Sequence, residues 1–297
     1  IRFLPPGSPT LEAWAGGLIS IGVIGIALGV LAGLAQRDPR ALLGYSSIAK
    51  MGLTTAAFGA AMAKPAAAPA ILAALVAFTM HHLMIKGSLF LGLGEWQRHG
   101  ARPWLIAVLG ILCLAMIGVP ASSGAGAKLI LDESIAVSGL DFTLLLGFSA
   151  IGTVLLMSRF VWLTLQHEST APRAFDRASL VWVALAALAI LLPLTQPLPL
   201  TTSGLGAIAA GFAIVLAFAV SRRQMSFALP SVPPGDLLYL VQATRRIGTG
   251  RIRWPDLTIS PRALMSTAVC PAATCTLGAL IWLLVCVLLL AWGLAPV

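Results

Sequence analysis

Lys86 stands in the run Phe78-Thr-Met-His-His-Leu-Met-Ile-Lys86-Gly-Ser-Leu-Phe-Leu, with His82 one helical turn before it. An ionisable amine that deep in an apolar segment costs at least roughly 2.5–3.5 kcal/mol, so its presence points to a function. Two more amines share the pattern. Lys50 lies within the apolar stretch 42–61, and Lys128 follows the break Gly-Val-Pro-Ala-Ser-Ser-Gly that begins at Gly118. Three such amines suit the passage of charge through a membrane. An ammonium withdrawn from water loses the hydration that favours its charge, which lets a buried lysine load and release a proton, and histidine titrates near neutrality unaided. Four residues of separation put His82 and Lys86 on one helical face, within reach of each other through bridging water. His81 points to a different face, and its place on such a path stays open.

The elements that must hold these groups follow from composition. Hydrophobic residues make up 59% of the 297, charged residues only 10%, and the mean hydropathy is +0.96, far from a soluble domain of this length. The period-two alternation of a membrane barrel is absent, so the fold class is all-α, a polytopic transmembrane helical bundle. Eight spans are expected, at about 13–36, 41–63, 69–95, 104–138, 142–166, 178–194, 202–221 and 276–295. Gly118, Pro120 and Gly124 predict one discontinuous helix, broken near 118–124, whose freed backbone groups need water or protein partners.

If the spans alternate, 13 of the 19 basic residues fall on one side (Arg37, Arg40, Arg98, Arg102, Arg173, Arg177 and the arginines from Arg222 to Arg262) and only Arg2 and Lys64 on the other. The positive-inside rule makes the first side cytoplasmic and puts both ends of the chain outside. The net charge of +9 is thereby a topology signal in contact with lipid headgroups, and no nucleic-acid partner is expected. Arg159 reads as a snorkelling anchor near the cytoplasmic end of its span. Of the four cysteines, Cys113 and Cys286 lie in spans and Cys270 and Cys275 near the last one. That spacing lacks the paired elements of a zinc or iron–sulfur site, and no phosphate loop or haem-attachment run is seen. No metal and no cofactor are expected. The chain opens on Ile1 with a proline-rich loop and no signal peptide, which suits the middle of a longer protein.

Three blocks then occur in order. Gln36-Arg-Asp-Pro-Arg-Ala-Leu-Leu-Gly-Tyr-Ser-Ser-Ile-Ala-Lys-Met-Gly52 resembles the Asp-x-Lys-Arg-x-Leu-Ala-Tyr-Ser-Ser-x-x-Gln-Met-Gly signature of the antiporter-like subunits of respiratory complex I. His82-Leu-Met-Ile-Lys86-Gly-Ser-Leu-Phe-Leu-Gly-Leu-Gly94 resembles the family's His-x-x-x-Lys-x-x-Leu-Phe-Leu-x-x-Gly, and Gly118-Val-Pro-Ala-Ser-Ser-Gly-Ala-Gly-Ala-Lys128 its Gly-x-Pro-x-x-x-Gly-Phe-x-x-Lys. The superfamily also holds the large subunits of multisubunit cation/proton antiporters and of membrane-bound hydrogenases. The resemblance covers about residues 11–166. In the family these blocks belong to the second of two inverted repeats, and the first, with its glutamate–lysine pair, is not within this chain.

The resemblance implies roles. Lys86 would be the central relay of a half-channel, His82 its neighbour, and Lys128 the terminal donor to the outer side, with Asp132 and Glu133 as exit carboxylates. A structural salt bridge from Lys128 to Asp132 is the competing reading. Lys50 stands where the family commonly has glutamine or another neutral residue, either as an added relay station or as the partner of an acidic group on a neighbouring chain. The implied organisation is a half-channel core over 1–166, two further transmembrane helices over 167–221, and a cytoplasmic amphipathic segment with a final anchoring span over 222–297. Within the last part, Asp236 to Arg246 reads as a short amphipathic helix on the membrane surface. The expected function is a non-redox, proton-translocating subunit, the C-terminal portion of a longer one or a split subunit, in a complex I-like assembly in a bacterial inner membrane. Its partners would be other membrane subunits, lipids, and protons or sodium. A cation/proton antiporter or hydrogenase subunit is the alternative within the superfamily, and a non-conducting membrane scaffold the alternative of another class.

Overall fold

The computed structural model describes residues 9–166, 175–191 and 204–222. The expected amphipathic helix at Asp236 and the span 276–295 lie outside them. The described residues form helices α1 (Pro9–Leu34), α2 (Pro39–Ala63), α3 (Ala68–His99), α4 (Pro103–Ile117), α5 (Ser123–Ala136), α6 (Thr143–Gln166), α7 (Arg177–Leu191) and α8 (Leu205–Arg222), with no strand among them. Three stretches, Trp14–Leu34, Ala68–His99 and Thr143–Gln166, are long and apolar enough to cross a membrane by themselves. α4 is a shorter apolar helix, and α5 follows it across a break.

Local chemistry sets the boundaries. Asp38 accepts the Arg40 N–H at the start of α2, where Pro39 fills a first-turn position that needs no donor. α3 runs to His99, beyond the apolar limit at 95, because its polar last turn is bonded to α7, and Gly100 ends it at φ +71°. α1 and α2 form a close hairpin through a seam of small residues. A Cβ on Gly52 would fall 2.6 Å from the Gly22 carbonyl oxygen, and one on Gly29 would fall 2.5 Å from the Ala49 nitrogen. Backbones approach this closely only where side chains are absent or minimal.

The break between α4 and α5 is where the sequence places it. Gly118 takes the left-handed conformation at φ +78°, and its N–H bonds the Ala115 carbonyl while that of Val119 bonds Leu114. This is a Schellman stop, in which glycine meets no Cβ penalty. Ser122 then caps α5 by accepting the Ala125 N–H. The bundle core is Leu42, Leu43, Leu53, Ile85, Leu89, Leu112, Leu131 and Phe160, all buried, whereas Ile21, Leu28, Leu31, Val76 and Leu144 face outward. An apolar exterior of this kind is what lipid, not water, accepts.

Polar bonds gather the expected arginine-rich ends at one pole. Arg40 Nη2 donates to Gln97 at 2.7 Å, Arg98 pairs with Asp176, and Arg159 donates twice to the Gln36 carbonyl at 2.7 and 3.1 Å. Arg159 thus does more than snorkel: it is half-buried over the Trp162 ring and satisfies a carbonyl just past the C-terminus of α1.

Candidate functional site

At 1.5 Å per residue, Lys86 lies roughly 27 Å from the start of α3 and roughly 20 Å from its end, near mid-membrane for a hydrocarbon core of about 30 Å. Its side chain is 4% exposed and points inward, beside Cys113 of α4. Nζ donates to the Leu43 carbonyl of α2 at 3.0 Å, an oxygen that the Ser47 hydroxyl also reaches at 3.1 Å. The serine of the first sequence block therefore shares the carbonyl at which the lysine docks. Lys50, two turns beyond Leu43 along α2, is 3% exposed and donates to the Ser149 hydroxyl of α6 at 3.0 Å. Its ammonium is turned into the bundle.

Lys128 reaches back from α5 to the carbonyl of Ile117, the last residue of α4. A cation there meets the negative end of a helix and a carbonyl that the break has freed. The salt bridge from Lys128 to Asp132 is not formed. Asp132 is half-buried and lines a cavity of about 290 Å³ with Asp141, Phe142 and Thr143, while Glu133 is exposed and lies off it. Asp141, in the turn outside the helices, accepts the Thr143 N–H at 2.9 Å, and that bond holds its carboxyl below the usual carboxylate range.

One small cavity, about 10 Å³, joins most of the set. Lys50, His81, His82 and Lys128 line it with Phe78, Met116 and Gly124. Its size matches a single water. Neither ring nitrogen of His81 nor Nε2 of His82 has a hydrogen-bond partner among the described residues, although the Ala115 backbone lies close to His81. Both histidines face this space, so the different face assigned to His81 still brings it to the cavity. Lys50 lies within Coulomb range of both Lys86 and Lys128.

Sequence reasoning missed a second polar group at the foot of α3. Glu95, His99 and Ser179 are buried together, with Arg98 and Asp176 at their edge. Burial pushes the Asp176 carboxyl up, but bonds from the Ser179 N–H and hydroxyl, together with Arg98, outweigh it and hold the group below the carboxylate range. Glu95 with Arg98 and His99 at i+3 and i+4 was a readable signal; Ser149 and Ser179 carried none.

Fold and site together define a polytopic helical membrane protein with buried amines arranged about a broken helix. Residues 1–155 match the family described as NADH:quinone oxidoreductase/Mrp antiporter, transmembrane, and the chain belongs to that family. It is an integral membrane protein. Among curated proteins it is 32% identical to hydrogenase-4 component B of Escherichia coli over 133 residues, 38% of this chain and 20% of that protein. It is 25% identical to NADH-quinone oxidoreductase subunit N 2 of Roseiflexus castenholzii over 210 residues, 63% of this chain and 41% of that one. With subunit N of a Mycobacterium species the identity is 30% over 123 residues, 38% of this chain and 25% of that protein. The chain thus spans between a fifth and about two fifths of these relatives.

Proposed function

We propose that the chain is a proton-translocating membrane subunit of a complex I-like assembly, with residues 1–166 forming a half-channel core. The observation that carries this reading is the convergence of Lys50 and Lys128 with His81 and His82 on a water-sized cavity, with the buried Lys86 one helical turn from His82 on α3. No carboxylate is ion-paired with any of the three amines among the described residues. A fixed structural pair would have supplied one. Like charges in a dry space repel, so a proton loaded on one amine favours release from the next, which is the property a relay needs.

In this reading a proton on Lys86 passes to the His82 imidazole, which hands its own to the cavity water. Lys50 and His81 stand at that water as intermediate holders, and Lys128 delivers outward. Asp132 is placed to receive the proton at the outer cavity, and Glu133 serves only as an outlying carboxylate. Lys50 acts as the added station. The arginine-rich pole faces the cytoplasm of a bacterial cell and the chain ends lie outside; 167–221 supplies two further helices and 222–297 the surface segment and anchor. The ion is the proton, with sodium the variant to exclude, and the partners are other membrane subunits that handle the driving reaction. The likeness to a hydrogenase component supports a second reading of the same chemistry, a subunit of a membrane-bound hydrogenase.

The test is Lys86→Ala in the full-length protein within its native complex. Proton uptake by membrane vesicles is expected to fall severely while the complex stays abundant. Uptake equal to wild type would make Lys86 a structural residue and remove the relay.

A further inference from the structure

The polar cluster at the arginine-rich end of α3 has no role in the relay. Glu95 is 5% exposed and His99 2%. Glu95 Oε2 accepts the Ser179 hydroxyl at 2.5 Å and lies 3.2 Å from His99 Nε2, while Oε1 accepts from Arg98 at 3.0 Å. The same hydroxyl oxygen is 2.9 Å from His99 Nε2 and 3.1 Å from Asp176 Oδ1. The Asp176 side chain is 39% exposed. The Ser179 hydroxyl thus lies within hydrogen-bond distance of a water-accessible carboxylate, a buried carboxylate and a buried imidazole, and its one proton can turn to any of them that is free to accept.

Among the described residues, the ion pairs of this cluster set two carboxylates, Glu95 and Asp176, against Arg98 and His99. Arg102 before α4, Arg177 at the start of α7 and Arg40 on α2 are all exposed, and Arg40 is engaged by Gln97. α4 sets the Trp104 ring against His99 at 5.9 Å, an apolar wall.

The cluster also has a direction. Glu95, Ser88 and His81 recur every seven residues along one stripe of α3, and His81 lines the mid-membrane cavity. Between Glu95 and Ser88 the side chains of Leu109 and Trp182 lie over Gly92. A Cβ on Gly92 would come within 2.6 Å of Leu109 and 2.8 Å of the Trp182 ring, whose indole N–H donates to the Ser88 carbonyl at 2.8 Å. Ser179 and Trp182 lie one turn apart on α7, so a single helix supplies both the hydroxyl and the indole.

We propose that Glu95, His99 and Ser179 form a proton-loading site, filled from water through Asp176 and separated from the His81 cavity by Trp182 seated on Gly92. The proton arriving at Asp176 moves to the Ser179 oxygen as that hydroxyl gives its own to Glu95 or His99, leaving the serine unchanged. This rests on the proton-translocating reading.

The experiment compares initial proton uptake between about pH 6 and about pH 8.5 in vesicles carrying the native complex, for wild type, Glu95→Gln, Ser179→Ala and Lys86→Ala. Glutamine keeps the shape and an acceptor for Ser179 but cannot hold the proton. Glu95→Gln is expected to slow uptake on the order of tenfold at about pH 8.5, where protons are scarce, and only about twofold at about pH 6. Ser179→Ala should follow the same trend. Wild-type rates across the range, or a loss by one constant factor at every pH, would overturn the loading site and leave a structural tie. Should Glu95→Gln fail to assemble, Ser179→Ala decides by the same two criteria. Normal pumping by Lys86→Ala beside a pH-dependent loss in Glu95→Gln would sink the relay instead, so the two failures are distinct.

Discussion

Gly124→Ala probes the joint on which the broken helix depends. A methyl there would fall inside the van der Waals envelope of the Ala115 carbonyl oxygen and 3.1 Å from the Gly118 Cα. Both are backbone atoms, so no rotamer relieves the clash and the ends of α4 and α5 must part. Overpacking of this kind costs about 1–3 kcal/mol. Parting the ends also pulls Lys128 from the Ile117 carbonyl, a bond to a charged donor worth about 1.5–3 kcal/mol. A loss of roughly 3 kcal/mol in unfolding free energy is expected, read in mixed micelles titrated with a denaturing detergent, together with slowed proton uptake. Gly110→Ala is the control. No atom lies within 4 Å of its Cβ position, so it should be neutral or stabilise α4 by about 0.5–1 kcal/mol. If Gly124→Ala unfolds with Gly110→Ala and pumps normally, the steric joint is not what holds the break.

Two further outcomes follow from the packing of α1 on α2 and from the turn before α6. Gly52→Leu should separate α1 from α2, since even its Cβ would lie 2.6 Å from the Gly22 carbonyl oxygen and 2.7 Å from the Ile26 nitrogen; a cross-link between cysteines introduced across the seam that still forms at the wild-type rate would refute this. Asp141, whose carboxyl the Thr143 N–H holds low, should titrate with a midpoint below the ordinary value of about 3.9. Because the folded value is depressed, its contribution to the α5–α6 turn is present above that ordinary value and lost as pH falls through the folded one. A carboxyl carbon resonance titrating at or above the ordinary value would contradict it.

Much of the bundle was legible in the sequence because membrane burial leaves strong local marks. Gly118, Pro120 and Gly124 announced the break, and the apolar run around Lys86 announced a buried amine. What the sequence could not give were partners set by packing between distant elements. The Leu43 carbonyl, the Ser149 hydroxyl and the Ser179 hydroxyl come from helices whose rotation about their axes no local pattern reports. The choice between a salt bridge to Asp132 and another partner for Lys128 was equally non-local. Helix spacing allowed the bridge, but the freed carbonyl of Ile117 lay at the end of a different helix and took the ammonium. α3 outran its apolar pattern for a similar reason, since Glu95 and His99 are polar residues paired across a helix interface and not a solvated end.

The claim that most needs testing is that Lys86 works by releasing a proton and not by holding a fixed charge. Lys86→Arg in the native complex separates the two, because arginine keeps a donor for the Leu43 carbonyl but stays charged at any accessible pH. Proton uptake per assembled complex is the quantity to measure. Lys86→Arg is expected to assemble and to fail as severely as Lys86→Ala; full uptake by the arginine variant would show that a permanent positive charge suffices and that Lys86 is not a relay.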